Sequence, residues 1–400
     1  MIARKNWLNK TFFTAAVFAV ALAPSAGAAT KAVAIKQMVQ ITQDTTAEAM
    51  VVTSKYIVTY ANIAGQSADI KVRAIDFTGT QIWAKTIDSG WDEVATAITV
   101  DAQGSIWIAG NSAVGPSVET TTTVTGVLNP DSIAIESTTA LRPDMKNIAL
   151  WQLSSTGDLL SQSNSTTLQP AIVDAISANA TGTSVLLSRD AGQTLVTAKA
   201  QAFGKELALG TAKSKFKIAL RGSDGSTYLF GSSSESLSGK RLVGKVDGIL
   251  MKVSKTGTIA SVVRSSAPKA IRDWQSATSS LFLTGVVKSG ATINTAVTKF
   301  TSTFAPTWTA RFASTGFSLT APGANGLVFA IFEPTSLLKG VSGWKVIKGQ
   351  SVVLQFDSKG TISGAFTSVL LNTPISAGYA IDGGLIVLTA NGTILRIPIS

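Results

Sequence analysis

The stretch Asp101-Ala-Gln-Gly104-Ser-Ile-Trp-Ile-Ala-Gly110 sets a turn before a run of β-formers and closes on glycine. An Asp heading such a turn accepts backbone N–H groups two residues on. A Gly at its fourth position takes the left-handed conformation that tightens a hairpin. Clear copies of the phrase are Asp224-Gly225-Ser-Thr-Tyr-Leu-Phe-Gly231 and Ser279-Ser-Leu-Phe-Leu-Thr-Gly285. Weaker copies begin at Ser54, Gly182, Asn325 and Gly383. Aligned at residues 54, 104, 182, 225, 279, 325 and 383, they lie 50, 78, 43, 54, 46 and 58 residues apart. Seven copies at about fifty residues, one with a long insertion, is the period of a propeller blade.

A second turn falls inside most repeats: Asp76-Phe-Thr-Gly79, Ser154-Ser-Thr-Gly157, Ser254-Lys-Thr-Gly257 and Asp357-Ser-Lys-Gly360, with Thr301-Ser-Thr-Phe304 as a degraded copy. The flanking residues alternate as half-buried strands do, for example Ile70-Lys-Val-Arg-Ala-Ile75. Each repeat then reads as four antiparallel strands, in the second copy Val94–Val100, Ser105–Ala109, Asn147–Leu153 and Asp158–Ser163. The expected fold is all-β: a seven-bladed β-propeller of four-stranded antiparallel blades, six or eight if the weak third or sixth copy is miscounted. Blades are expected at about 46–88, 92–165, 171–209, 214–265, 270–312, 316–371 and 374–400, within one domain over 29–400. A Thr-rich insertion at 111–146, read as an extra hairpin or a lid, extends the second blade. The last copy is one strand short, and segment 32–41 is expected to supply it and close the ring, which removes exposed sheet edges.

The stretch Ser89-Gly-Trp-Asp-Glu-Val-Ala-Thr-Ala-Ile-Thr-Val-Asp-Ala-Gln-Gly-Ser-Ile-Trp-Ile-Ala-Gly110 resembles the repeat of exported bacterial seven-bladed β-propellers. The likeness is good over roughly residues 70–110 and thins beyond them. It implies the fold and export but no single activity. Asp76-Phe-Thr-Gly79-Thr-Gln-Ile-Trp83 also resembles a quinoprotein propeller blade over one turn, without the paired cysteines of some members. A WD40 repeat fits less well, because no Gly-His occurs and Trp91-Asp92 precedes a strand rather than ending one.

Composition narrows the function. The 400 residues include no cysteine and no histidine, which excludes disulfides, thiolate nucleophiles, Cys/His zinc sites and imidazole bases. At 45% hydrophobic and 14% charged, the chain can build a large core and is no disordered polymer. Arg4, Lys5 and Lys10 precede an apolar run from Phe12 to Ala23 and an Ala26-Gly27-Ala28 cleavage site, the order of a Sec-type signal peptide over 1–28. The expected address is therefore extracytoplasmic, at the envelope or secreted, with no further membrane-spanning segment.

Numbered from the axis outward, the first-to-second and third-to-fourth strand connections of a blade are the tight turns above. The second-to-third loops and the links between blades vary in length and share the opposite face, where a rigid scaffold carries recognition. Charge divides the chain unevenly: residues 31–200 hold 10 basic and 15 acidic groups, residues 201–400 hold 21 and 8. On the variable face the candidate binding residues are Lys205, Lys213, Lys240, Arg241, Lys245, Lys269, Arg272, Lys288, Lys339, Lys345 and Lys348. Trp274 and Trp344 are candidates for stacking on a ligand ring. A basic arc facing one way attracts a polyanion, so the expected partner is an anionic envelope polymer or a protein. Nucleic acid is not expected, and the chain is expected to be a monomer.

Asp88, Asp92 and Glu93 form the best carboxylate group and suit a surface Ca²⁺ through hard oxygens; no other cofactor is expected. No G-x-S-x-G and no phosphate-binding Gly-rich loop is present, and no catalytic residue can be assigned. The reading is a non-catalytic binding or scaffold module. The alternative is a carboxylate- or quinone/Ca-dependent enzyme acting on an extracellular sugar or polymer at an axial pocket.

Overall fold

Strand formation follows the alternation directly. In Ala68–Ile75, Ile70, Val72 and Ala74 are fully buried while Lys71 points to solvent. A computed structural model describes residues 32–115, 144–200 and 202–398. The proposed leader and most of the Thr-rich insertion lie outside these residues. Among the described residues the only helical element is a 3-10 turn at Ala324–Gly326, and no helix is long and apolar enough to cross a membrane.

Apart from the N-terminal segment, the strands form antiparallel sheets in chain order, the pattern of a β-propeller of four-stranded blades. The first sheet is Ala49–Val52, Ile57–Ala64, Ala68–Ile75 and Gln81–Ile87. The second is Glu93–Val100, Ile106–Ser112, Asn147–Leu153 and Leu159–Thr166. In the third, Ile172–Asn179, Gly182–Arg189 and Gly192–Lys199 are followed by an outer strand broken into Ala202–Phe203 and Leu207–Ala208. The fourth is Ser214–Arg221, Thr227–Ser233, Asp247–Val253 and Ile259–Ser265.

A nine-stranded sheet follows. Its pivot is the 17-residue strand Pro306–Pro322. Up to Ala313 this strand pairs with Thr292–Phe300, and from Ser314 onward with Val328–Pro334, so it is the outer strand of one unit and the inner strand of the next.

The N-terminal segment divides its work. The sequence suggested one closing strand over 32–41, but two strands form, with a break at Met38, whose N–H is held by the Thr367 carbonyl at 2.7 Å. Val33–Gln37 adds in parallel to Ile362–Thr367, while Val39–Gln43 pairs antiparallel with Thr393–Arg396 in the last sheet.

The core is a circuit of apolar clusters, each shared between two successive units. Val72 and Ile106 pack between the first and second sheets, and Ala109 and Val185 between the second and third. The circuit ends where Ile386 and Leu388 of the last sheet meet Met50 and Ile57 of the first. The innermost strand of each unit also packs on that of the next, around to the start.

The turn residues act as their chemistry requires. Asp76 Oδ1 accepts the N–H groups of Thr78 and Thr80 at 2.8 and 2.9 Å, and Asp101 and Asp357 repeat the arrangement. Gly157 and Gly360 have a second reason to be glycine. A Cβ on either would lie 2.7 or 2.6 Å from the indole of Trp83 or Trp308, each of which comes from the preceding unit. Those indoles donate to the carbonyls of Ser155 and Ser358. Where the turn carries Phe304 instead, φ is 63°, and its ring meets Tyr228 and Phe230 edge-on.

Candidate functional site

The sheet order places the second-to-third loops and the inter-sheet links at the same end of each sheet. Of the eleven basic candidates, Lys213, Lys240, Arg241, Lys245, Lys269, Lys288, Lys339, Lys345 and Lys348 are exposed there. Lys205 is also exposed, but it sits in the break of the third sheet's outer strand, on the flank rather than the face. Arg272 departs further from expectation. It is half-buried, donates to Ser265 Oγ at 2.5 Å, and burial together with the neighbouring Arg311 lowers its pKa. None of the ten exposed cations forms an ion pair among the described residues.

The loop carrying Lys240, Arg241 and Lys245 is held from beneath by Asp247 and Arg264. Asp247 is fully buried and accepts the backbone N–H groups of Val243 and Gly244 at 3.0 and 2.8 Å. Arg264 Nη1 pairs with Asp247 Oδ2 at 3.0 Å, and its other guanidinium nitrogens donate to the carbonyls of Lys240 and Glu235. The basic side chains thus stand on a loop whose backbone is already fixed.

The loop at 335–349 is anchored differently. Leu338 and Trp344 enter the core, Val341–Ser342 pairs with Val33 and Ala34, and Glu333 accepts the Gly349 N–H at 2.7 Å. Lys339, Lys345 and Lys348 remain outside, and exposed Leu337, Val346 and Ile347 accompany them.

Both tryptophan candidates are corrected. Trp274 is 3% exposed and packs edge-on against Phe300; Trp344 is 7% exposed in the core under its loop. Neither offers a ring face to a ligand. Their proximity to lysines in sequence reflects loop packing.

The carboxylate group is also revised. Asp88 and Glu93 come together with Asp69, not Asp92, and carboxylate oxygens of the three lie within 4.8 Å of one another. Asp92 instead accepts the Ala68 N–H at 2.6 Å. Asp69 reaches the group because Ala68–Ile75 pairs with Gln81–Ile87, which sets its start beside the link that bears Asp88. Glu93 is fully buried; the Ser89 hydroxyl and N–H donate to Oε1, and Oε2 has no partner. Burial pushes its carboxyl up to about 7, and the charges of Asp69, Asp88 and Asp92 act in the same direction.

Several charged groups on the innermost strands bond within the protein. Lys217 Nζ meets Asp273 Oδ2 at 2.5 Å, and Asp174 accepts from Ser188 and Gln193, each at 2.6 Å. A hollow of about 740 Å³ opens at the loop end beside Pro170, Ile172, Arg189 and Asp190.

No family model matches the chain, and no curated protein matches it. Solved structures do. The chain is similar to a streptogramin B lyase at 12% identity with a TM-score of 0.53, covering 90% of this chain and 96% of that one. A virginiamycin B lyase from Staphylococcus aureus is similar at 10% identity with a TM-score of 0.51, over 90% and 99%. The β-propeller domain of Swd1 from Myceliophteria thermophila gives 9% identity and a TM-score of 0.51, over 91% and 99%. The likeness is one of fold. It spans nearly the whole described chain.

Proposed function

We propose that this chain is an exported, non-catalytic binding propeller of seven blades that holds an anionic envelope polymer or a protein partner through its basic loop face. The blade count is supported by the double pairing of Pro306–Pro322 and by seven core clusters, each shared between successive units. Export is supported by the three-part pattern over residues 1–28.

The observation that carries the binding reading is the loop bearing Lys240, Arg241 and Lys245. Its cations are exposed and unpaired, and the buried Asp247–Arg264 pair fixes the backbone beneath them. Cations on a prearranged backbone bind without the entropic cost of ordering a loop. Exposed Val243, Leu337, Val346 and Ile347 add apolar contact beside the charge. The lyase activity in the names of two similar structures is not carried over, since the likeness to them is one of fold at 10–12% identity.

The test is retention of the protein on its own cell envelope across a salt series. A variant replaces Lys240, Arg241, Lys245, Lys345 and Lys348 with Ser. Retention should fall as salt shortens the screening length from about 10 Å at 0.1 M to about 3 Å at 1 M, and the variant should be lost at low salt. Retention indifferent to both salt and substitution would overturn the reading.

A further inference from the structure

We propose that Asp69, Asp88 and Glu93 form a binding site for a hard divalent cation, Ca²⁺ in particular, that ties the end of the first sheet to the start of the second. The three residues come from three places: the start of Ala68–Ile75, the link after Gln81–Ile87, and the first position of Glu93–Val100. Their oxygens lie within 4.8 Å of one another. Calcium takes oxygen ligands at about 2.3–2.6 Å, so oxygens on opposite sides of one ion stand about 4.6–5.2 Å apart. Mg²⁺ demands a near-ideal octahedral shell and dehydrates reluctantly, so it is a poorer match for a site built from three protein carboxylates. An all-oxygen donor set in a chain without cysteine or histidine disfavours the softer metals.

A group of acidic residues alone would not define a site. The deciding feature is Glu93, which is fully buried yet leaves Oε2 without a partner. A buried carboxylate is ordinarily met by a cation or by a full set of donors. No lysine or arginine forms an ion pair with Asp69, Asp88 or Glu93 among the described residues.

Neighbouring groups orient each carboxylate by one oxygen. Ser67 Oγ donates to Asp69 Oδ1 at 2.8 Å, the Gly90 N–H to Asp88 Oδ1 at 2.7 Å, and Ser89 to Glu93 Oε1. The second oxygen of each is left for a ligand. Asp88 is exposed, Asp69 half-buried and Glu93 buried, so an ion has an open side for entry and for water ligands, and a closed side that holds it.

The experiment titrates the full chain, stripped of metal by a chelator, with CaCl₂ in a calorimeter, and follows its thermal midpoint with and without the ion. One ion per chain and a raised midpoint are expected. Asp69→Asn, Asp88→Asn and Glu93→Gln should each weaken binding at least tenfold and abolish the shift, and MgCl₂ should bind at least tenfold more weakly than CaCl₂. Asp88 is exposed, so its Asn variant keeps the fold and decides the matter even if Glu93→Gln does not. The Ser variant of the basic loops should bind calcium as the parent does, which separates this inference from the polymer-binding reading. Absence of saturable calcium binding, or binding unchanged in Asp69→Asn and Asp88→Asn, would overturn it.

Discussion

Asp247 and Glu93 are both fully buried carboxylates, and the protein treats them in opposite ways. Asp247 meets a guanidinium and two backbone N–H groups, and a loop is built around it. Glu93 meets only Ser89, faces two further carboxylates, and keeps an oxygen unbonded. Equal burial therefore does not mean equal purpose. The first carboxylate is internally complete and belongs to the architecture. The second is incomplete, and its surroundings suit a positive charge from outside the chain.

The contrast can be broken by substitution. The largest effect is expected at Arg264→Met, which strands the buried Asp247 charge and should cost about 3–5 kcal/mol in chemical denaturation, the usual penalty for orphaning one member of a buried pair. Pairing Arg264→Met with Asp247→Leu should recover part of that loss. A cost below about 1 kcal/mol for the single variant would show that the pair does not organise the loop. Glu93→Gln should behave oppositely in chelator: removing a buried charge that lacks a partner should leave stability within about 1 kcal/mol of the parent or raise it. A loss as large as that of Arg264→Met would mean that the two carboxylates are alike after all.

A smaller effect sharpens the comparison from the exposed side. Hydrogen bonds from Ser226 lower the pKa of Asp224 to about 2. A depressed carboxyl contributes stability that is present above its unfolded value near 4 and is lost as pH falls through about 2. Asp224→Asn should therefore flatten stability between about pH 4 and pH 2, with little change at neutrality. An unchanged acid profile would show that this turn adds nothing to the fold.

Much of the fold was legible because turn chemistry is local. Asp76, Asp101 and Asp357 stand at fixed offsets from a left-handed Gly, and each accepts the N–H groups that the offset implies. The strands of the second sheet fall within a few residues of their expected bounds for the same reason. The candidate sites were less legible because they depend on pairing between distant strands. Asp69 joins Asp88 only through the register of two strands, and nothing in their spacing announces it. Trp274 precedes a β-bulge between residues 274 and 276, which breaks the two-residue alternation and hides which side of the strand a ring will take. The division of labour at Met38 was likewise invisible, since a single apolar run served two neighbours.

The pairing of Val39–Gln43 with Thr393–Arg396 also sets a timetable. Gln43 reaches the Asn391 carbonyl across 348 residues of chain. During synthesis from the N-terminus, the first of these strands emerges from the ribosome long before its partner exists. The last sheet can therefore form only when translation is almost finished. Such distant closure is entropically costly and kinetically slow, so the nascent chain spends most of its growth as an open arc with two unpaired edges. For this protein, the window in which a chaperone or a translocation machine can engage an unfinished fold is built into the order of its strands.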